Sequence, residues 1–451
     1  MKKVILLALS LTLLLSCKKE EKKEIAATSK EIAPFSDAVS ESAVIYEANI
    51  RQYSPEGTFA AFTKDIPKLK QLGVKILWVM PIYPIGVEKR KEGLGSYYSI
   101  KDYKGVNPEF GKLEDFKTLV KTAHENGIYV ILDWVANHTA WDHPWVKEHP
   151  EYYAKDKAGK MIAPFDWTDV AKLDFSNQEL CKTMVNEMKY WLTEADVDGF
   201  RCDVAGEVPT DFWDNATAEL KKIKPVFMLA EAEKPELSKK AFDMAYGWDA
   251  HHIMNEIAKG KKTAKDWDNY ITKKEATWEK DDFIMYFTSN HDENSWSGTE
   301  YERMGDAVET FATMTYVVPG MPLIYNGQEY DFNRRLKFFV KDSLTTIKGK
   351  MFPIYEKLGK LKNENAALNG GKNPASYKRI ATSMDQNILA FEREKQGKKV
   401  IFVANLTKTD QTFSAPIEGE FTDYISGTKV TFAKDQKLTF KPWEYKILLV
   451  D

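Results

Sequence analysis

Eight apolar runs of strand length recur along this chain, at 44–49, 76–81, 129–133, 199–203, 226–231, 243–247, 283–288 and 322–325. Between them lie segments with helical periodicity, at 113–126, 178–194, 209–223, 235–242 and 301–316. Strands that alternate with helices pair in parallel, because a crossover helix returns the chain to the same edge. Eight such units bury both faces of every strand and leave no edge only if the sheet closes on itself. The expected fold class is therefore α/β, a (β/α)8 TIM barrel. Helix entries carry the matching end chemistry, as in Ser176-Asn177 before Gln178 and Pro209-Thr210-Asp211. A chain of 451 residues holds such a barrel, which needs about 250, with material to spare.

The remainder falls into three pieces. Between Asp133 and Gln178 the connection is abnormally long and holds Trp141, Trp145, Tyr152, Tyr153 and Trp167. A loop of that length in a compact domain is usually functional, so a lid subdomain is expected at 138–173. After residue 372 the pattern becomes short alternating runs (388–392, 399–406, 422–424, 430–432, 445–450), the signature of an antiparallel β-sandwich over 373–451. At the N-terminus Lys2 and Lys3 precede an apolar stretch from Val4 to Leu15, too short to span a bilayer and suited to a signal-peptide core. It ends Leu14-Leu15-Ser16-Cys17, which resembles a bacterial lipobox. The charged KKEEKKE stretch that follows resembles a surface-export signal. The expected layout is a lipoprotein signal peptide at 1–17, a disordered tether at 18–40, and the barrel at 41–372. A lipid anchor at Cys17 would attach the protein to the outer membrane, at the cell surface or facing the periplasm, without spanning it.

Net charge is only −3, which gives no electrostatic basis for a nucleic-acid partner. Of 3 cysteines, one is Cys17, so Cys181 and Cys202 make neither a disulfide scaffold nor a zinc cluster. Cys202 lies between Arg201 and Asp203 and must point to the opposite face of its strand; both thiols are expected free.

Three acids carry the chemistry. Asp203, Glu231 and Asp292 each follow an apolar run, where an unpaired carboxylate is costly unless it works. Arg201 shares a strand face with Asp203 and would keep it ionised, as a nucleophile requires. Glu231 ends the next strand; burial and the neighbouring charge would raise its pKa, which suits a general acid. Two carboxyls on adjacent strand ends fit the separation of about 5 Å of a retaining glycosidase. Asp133, Asn137 and His138 close the third strand, and His291 precedes Asp292.

Four short segments, DWVANH (133–138), GFRCDVAGE (199–207), LAEAE (229–233) and FTSNHDE (287–293), stand in the order and on the strands of the α-amylase family of glycoside hydrolases, which the chain resembles over nearly all of its length after the leader. PGMPLIYNGQE (319–329) matches that family's eighth strand. The resemblance implies Asp203 as nucleophile, Glu231 as acid and then base, and Asp292 as the clamp on the sugar's 2- and 3-hydroxyls. Arg201, His138 and His291 would hold substrate and carboxylates, and Tyr98 in YSIKDY would stack under the reacting sugar. DVAGEV (203–208) and VAKLD (170–174) are more similar to neopullulanases and cyclomaltodextrinases than to typical α-amylases. Gly206 and Glu207 stand where the latter carry Lys-His, and Lys172 replaces an Asp that binds calcium. Both departures weaken the case for the family's structural calcium, for which Asn137 is the retained candidate ligand; the chemistry itself requires no cofactor. The expected function is a retaining α-glucan hydrolase cleaving α-1,4 bonds, with α-1,6 bonds open. A transglycosylase on the same substrates and a non-catalytic surface glycan-binding protein are the other readings. The expected partners are an α-glucan and a glycan-uptake complex in the outer membrane.

Overall fold

The structure is a computed structural model that describes residues 32–434 and 436–450. The signal peptide, Cys17 and most of the expected tether lie outside the described residues. All eight expected runs form strands. They are β1 (Ile45–Ala48), β2 (Ile76–Val79), β3 (Tyr129–Trp134), β6 (Gly199–Cys202), β7 (Phe227–Ala230), β8 (Met244–Tyr246), β9 (Ile284–Tyr286) and β10 (Met321–Tyr325), with β4 (His138–Ala140) and β5 (Val170–Lys172) in the lid. Parallel pairing in the order β1-β2-β3-β6-β7-β8-β9-β10 closes the ring, with β10 back against β1.

Alternation sorts the side chains. Ile45, Ile76, Ile131, Phe227, Leu229, Met244, Met285 and Leu323 fill the interior as layers. Tyr46, Leu77, Leu132, Phe200, Cys202 and Met228 face the helices in the larger outer core. Cys202 therefore points as its parity requires; it and the half-buried Cys181 are both free thiols. Gly199 starts β6 at φ 148°, and a Cβ there would stand 1.9 Å from the Phe227 carbonyl oxygen. Only glycine lets β6 and β7 approach this closely.

The tether expected over 18–40 does not include residues 32–40. Residues 32–40 belong to the folded body, with a short helix over Asp37–Glu41. Phe35 is buried against Tyr129 (centroids 5.1 Å apart) and Phe227 (5.2 Å), the first residues of β3 and β7. One aromatic side chain closes the bottom of the barrel, a burial that local composition does not display.

Helices occupy Leu113–Glu125, Gln178–Glu194 and Thr210–Leu220 as expected. The helix expected over 235–242 is a single turn, Pro235–Ser238. That expected over 301–316 is broken at Gly305 (φ 58°) into Glu300–Met304 and Val308–Val317. Helices over Trp248–Ala258, Ala264–Thr277 and Met351–Glu364 complete the outer layer. Among the described residues, no helix is long and apolar enough to cross a membrane.

In the lid β4 and β5 pair antiparallel, with a one-turn helix at Trp145–Glu148 between them. The C-terminal part has a six-stranded antiparallel sheet, β11-β12-β13-β18-β15-β16, and a two-stranded sheet, β14-β17. These strands are β11 (Lys378–Arg379), β12 (Ile388–Lys395), β13 (Lys398–Asn405), β14 (Gln411–Phe413), β15 (Gly419–Asp423), β16 (Thr428–Phe432), β17 (Leu438–Phe440) and β18 (Tyr445–Leu449). Phe413 and Phe440 of the small sheet share a core with Ala390, Val403 and Phe421 of the large one. Arg393, fully buried, ties this part to the barrel by donating to the carbonyls of Val317 and Asn369, each at 2.9 Å.

Candidate active site

At the carboxyl end of the barrel the interior stops being apolar. Two residues after Ile45, Ile76, Ile131, Gly199 and Met244, inward positions carry Glu47, Trp78, Asp133, Arg201 and Tyr246, all fully buried. The same parity continues past the strand ends to Asp203 and Glu231. The continuing ladder fixes both backbones, since the Asp203 amide donates to the Trp134 carbonyl (2.9 Å) and the Glu231 amide to that of Cys202 (3.0 Å).

Arg201 is the hub. Its Nη1 donates to Asp133 Oδ1 (2.9 Å) and Asp203 Oδ1 (3.1 Å), and its Nε to the Tyr246 hydroxyl (3.1 Å). Its Nη2 stands 2.9 Å from Glu231 Oε2 as an ion pair. The guanidinium plane lies 4.8 Å from the Trp78 ring centroid. Trp78 Nε1 and the Tyr98 hydroxyl donate to the other oxygen of Asp133, at 3.0 and 3.1 Å. Glu231 Oε2 also accepts from the Val204 amide at 2.8 Å. Val204 sits at φ 35°, ψ 48°, a left-handed conformation that costs a β-branched residue about 1–3 kcal/mol. That turn aims its N–H at Glu231 and leaves Asp203 facing the cavity.

A second relay enters from β9 and β1. His291 Nδ1 lies 2.5 Å from Glu47 Oε1, and its Nε2 lies 2.8 Å from the Tyr98 hydroxyl and 3.2 Å from Asp292 Oδ2. Burial opposes charge on this ring, but Asp292 and Glu47 outweigh it and raise its pKa to about 9. His291 is thus an imidazolium at neutral pH and donates from both nitrogens, which leaves the Tyr98 proton for Asp133. His138 behaves oppositely: burial lowers it to about 4, so it is neutral. Its ring packs edge-on against Trp167 of the lid, centroids 5.5 Å apart.

Burial pushes Asp203 well above the usual carboxylate range, and the charge of Glu231 adds to this against the pull of Arg201. Burial also raises Glu231, against Arg201 and with Asp292 adding to the rise. Both shifts favour the protonated form, so the site retains a proton more readily than isolated carboxyls would.

All seven residues singled out in the sequence, Asp203, Glu231, Asp292, Tyr98, His138, Arg201 and His291, meet here. All but Arg201, which lies beneath the floor, line one cavity of about 460 Å3, within the ordinary ligand-site range of about 300–1,000 Å3. Asn137 does not line it. The residues around Asn137 do not fit a calcium ion: its amide Nδ2 is 3.2 Å from His138 Nδ1, and Lys172 stands opposite His138 in the lid ribbon. Among the described residues no group of three or more His, Cys, Asp or Glu side chains could hold a metal ion. Sequence reasoning missed the partners. Glu47 and Trp78 occupy inward positions of β1 and β2, so strand parity could have found them. Lys91, Phe338 and Phe339 line the cavity from loops and Trp296 from the short π-helix Glu293–Ser297, where no periodicity marks them.

The chain is similar to known proteins over most of its length. Residues 29–365 match the family described as "Alpha amylase, catalytic domain", and residues 379–447 match "Maltogenic Amylase, C-terminal domain". The maltogenic α-amylase AmyB of Thermotoga neapolitana superposes with a TM-score of 0.83 at 29% identity, over 91% of this chain and 98% of that one. An α-amylase from Lactobacillus plantarum gives 0.82 at 30% identity, over 91% and 99%. Alpha-amylase MalA of Haloarcula japonica is 24% identical over 406 residues, 86% of this chain; the chain spans 59% of that relative's length. With a catalytic-domain match that takes in the whole barrel and every acid of the site, the chain belongs to the α-amylase family of glycoside hydrolases.

Proposed function

We propose that this protein hydrolyses α-1,4-glucosidic bonds of starch-derived glucans or maltooligosaccharides with retention of configuration. The observation that carries the reading is Arg201 bridging Asp203 and Glu231 at 3.1 and 2.9 Å. Two carboxyls on one guanidinium suit the short separation, about 5–5.5 Å, of a retaining pair. Asp203 attacks the anomeric carbon while Glu231 passes its proton to the departing glycosidic oxygen. An ester forms between sugar and Asp203, and the shortened aglycone leaves as an alcohol. Water then gives a proton to Glu231 and its oxygen to the anomeric carbon, and Asp203 departs as carboxylate. Burial presses hardest on Asp203, yet the working proton belongs on Glu231: its Oε2 is taken by Arg201 and the Val204 amide, which leaves Oε1 for the leaving group. Neutral His138 and Asp292 line the cavity and are among the groups that can meet sugar hydroxyls. The match of the C-terminal part to a domain described as that of maltogenic amylases supports an α-glucan as the substrate.

The test is a digest of maltoheptaose and pullulan with anomer-resolved NMR. The α-anomer should appear first. Glu231→Gln should lose about 10²–10⁴-fold in turnover on maltoheptaose. It should lose far less on a maltosyl fluoride, whose leaving group needs no proton. Wild-type turnover by Asp203→Asn, or a β-anomer, would refute the assignment. Products longer than the substrate at high maltose would favour glycosyl transfer.

A further inference from the structure

We propose that the Lys91–Asp169 ion pair is the stop at the glycone end of the cleft and sets how many glucose units bind on the nucleophile's side of the cleaved bond. This rests on the hydrolase reading above. In an eight-membered ring β1 stands opposite β7, so the loops after β2 and β10 flank the arc farthest from Glu231. Glu231 protonates the leaving oxygen, and the aglycone therefore departs on its side. The retained sugars must extend toward the opposite arc, over Tyr98 and past the loops carrying Lys91 and Phe339.

That arc is a continuous wall. Lys91 Nζ lies 3.1 Å from Asp169 Oδ1, joining the loop after β2 to the lid across the cavity. Asp169 is 4% exposed, and its carbonyl accepts from Ser99 Oγ at 3.3 Å. On the other side the Leu94 amide donates to the Phe339 carbonyl (2.8 Å), which joins the same loop to the segment after β10. The loop is held at several further points. The Val87 amide donates to Asp142 Oδ2 (3.0 Å), and Lys89 Nζ sits 3.3 Å from the Trp141 ring centroid. Lys89 (φ 57°) and Glu92 (φ 47°) are both left-handed, a conformation that persists only where surrounding contacts enforce it. A wall of this kind does not yield to a longer glycone. It also supplies a cationic donor, half-exposed on the cavity side, to the hydroxyls of the terminal sugar.

Maltoheptaose with a fluorescent tag at its reducing end reads the glycone length directly, because the tagged fragment is what remains after the glycone is removed. The wild type should give a narrow set of tagged fragments, reflecting removal of short glycones. In Lys91→Ala and Asp169→Asn the tagged set should move to shorter fragments, with the ratio of long to short glycones rising about tenfold, the scale set by one pocket contact. Lys91→Arg keeps the pair and should restore the wild-type pattern, whereas the neutral Lys91→Gln should not. A tagged pattern identical in wild type, Lys91→Ala and Lys91→Gln would overturn the proposal. Absence of any cleavage by the wild type would instead sink the hydrolase reading on which it stands.

Discussion

Glu47→Gln tests the charge relay most directly. The relay holds His291 as an imidazolium with a pKa of about 9, against 6.5 for an unperturbed ring. The gap amounts to about 3 kcal/mol in favour of the charged form, at 1.36 kcal/mol per pH unit. Because the folded pKa lies above the unfolded one, this stabilisation is fully present below pH 6.5. It fades as pH rises and is gone once the ring has deprotonated, above about 9. Glu47 supplies a buried negative charge 2.5 Å from Nδ1. Replacing it with a neutral amide removes that attraction and leaves burial, which lowers the pKa, opposed chiefly by Asp292. An opposite charge at this range is worth about 1–3 pH units, so the His291 pKa should fall to about 7. Above that pH the Nε2 proton is lost, and Tyr98 and Asp292 lose their common donor. The assay is NMR titration of the imidazole protons from pH 5 to 10; with 7 His in the chain the signals are assignable. The kcat/KM profile on maltoheptaose is measured alongside. Its alkaline limb also contains the Glu231 proton, so the NMR shift decides. If His291 in Glu47→Gln still titrates near pH 9, the relay does not hold the charge and the argument fails.

Two further outcomes are expected. Gly199→Ala should destabilise the fold by more than about 3 kcal/mol, because the added Cβ meets the Phe227 carbonyl oxygen at 1.9 Å and neither strand can retreat; a urea-unfolding change below about 1 kcal/mol would contradict the close approach. We propose from sequence alone that Cys17 carries a lipid anchor holding the protein at the outer membrane. A fatty-acid analogue fed to producing cells should label the wild type and not Cys17→Ala, and equal labelling of both would dismiss the anchor.

The strands were legible because a parallel barrel buries both faces of each one. Continuous apolar runs bounded by helical segments admit few other structures. The acids were legible for the complementary reason, since Asp203, Glu231 and Asp292 break those runs where burial penalises charge. The helices over Trp248–Ala258 and Met351–Glu364 were not read, because their apolar stripes merge with adjoining strands and loops. Phe35 was missed because a single aromatic in a polar stretch shows nothing of the barrel mouth it closes.

By itself the sequence determined the topology and the identity of the groups that do chemistry. Both are properties of local pattern: strand parity, helix period, and charge placed at the end of an apolar run. The tertiary structure alone decided how those groups are charged and what confines the substrate. Arg201 meets Asp133 and Glu231, His291 meets Glu47, and Lys91 meets Asp169, through contacts between neighbouring strands, past one intervening strand, or between separate loops. Electrostatic energies depend on distance and burial in space, and neither is written in the spacing of residues along the chain.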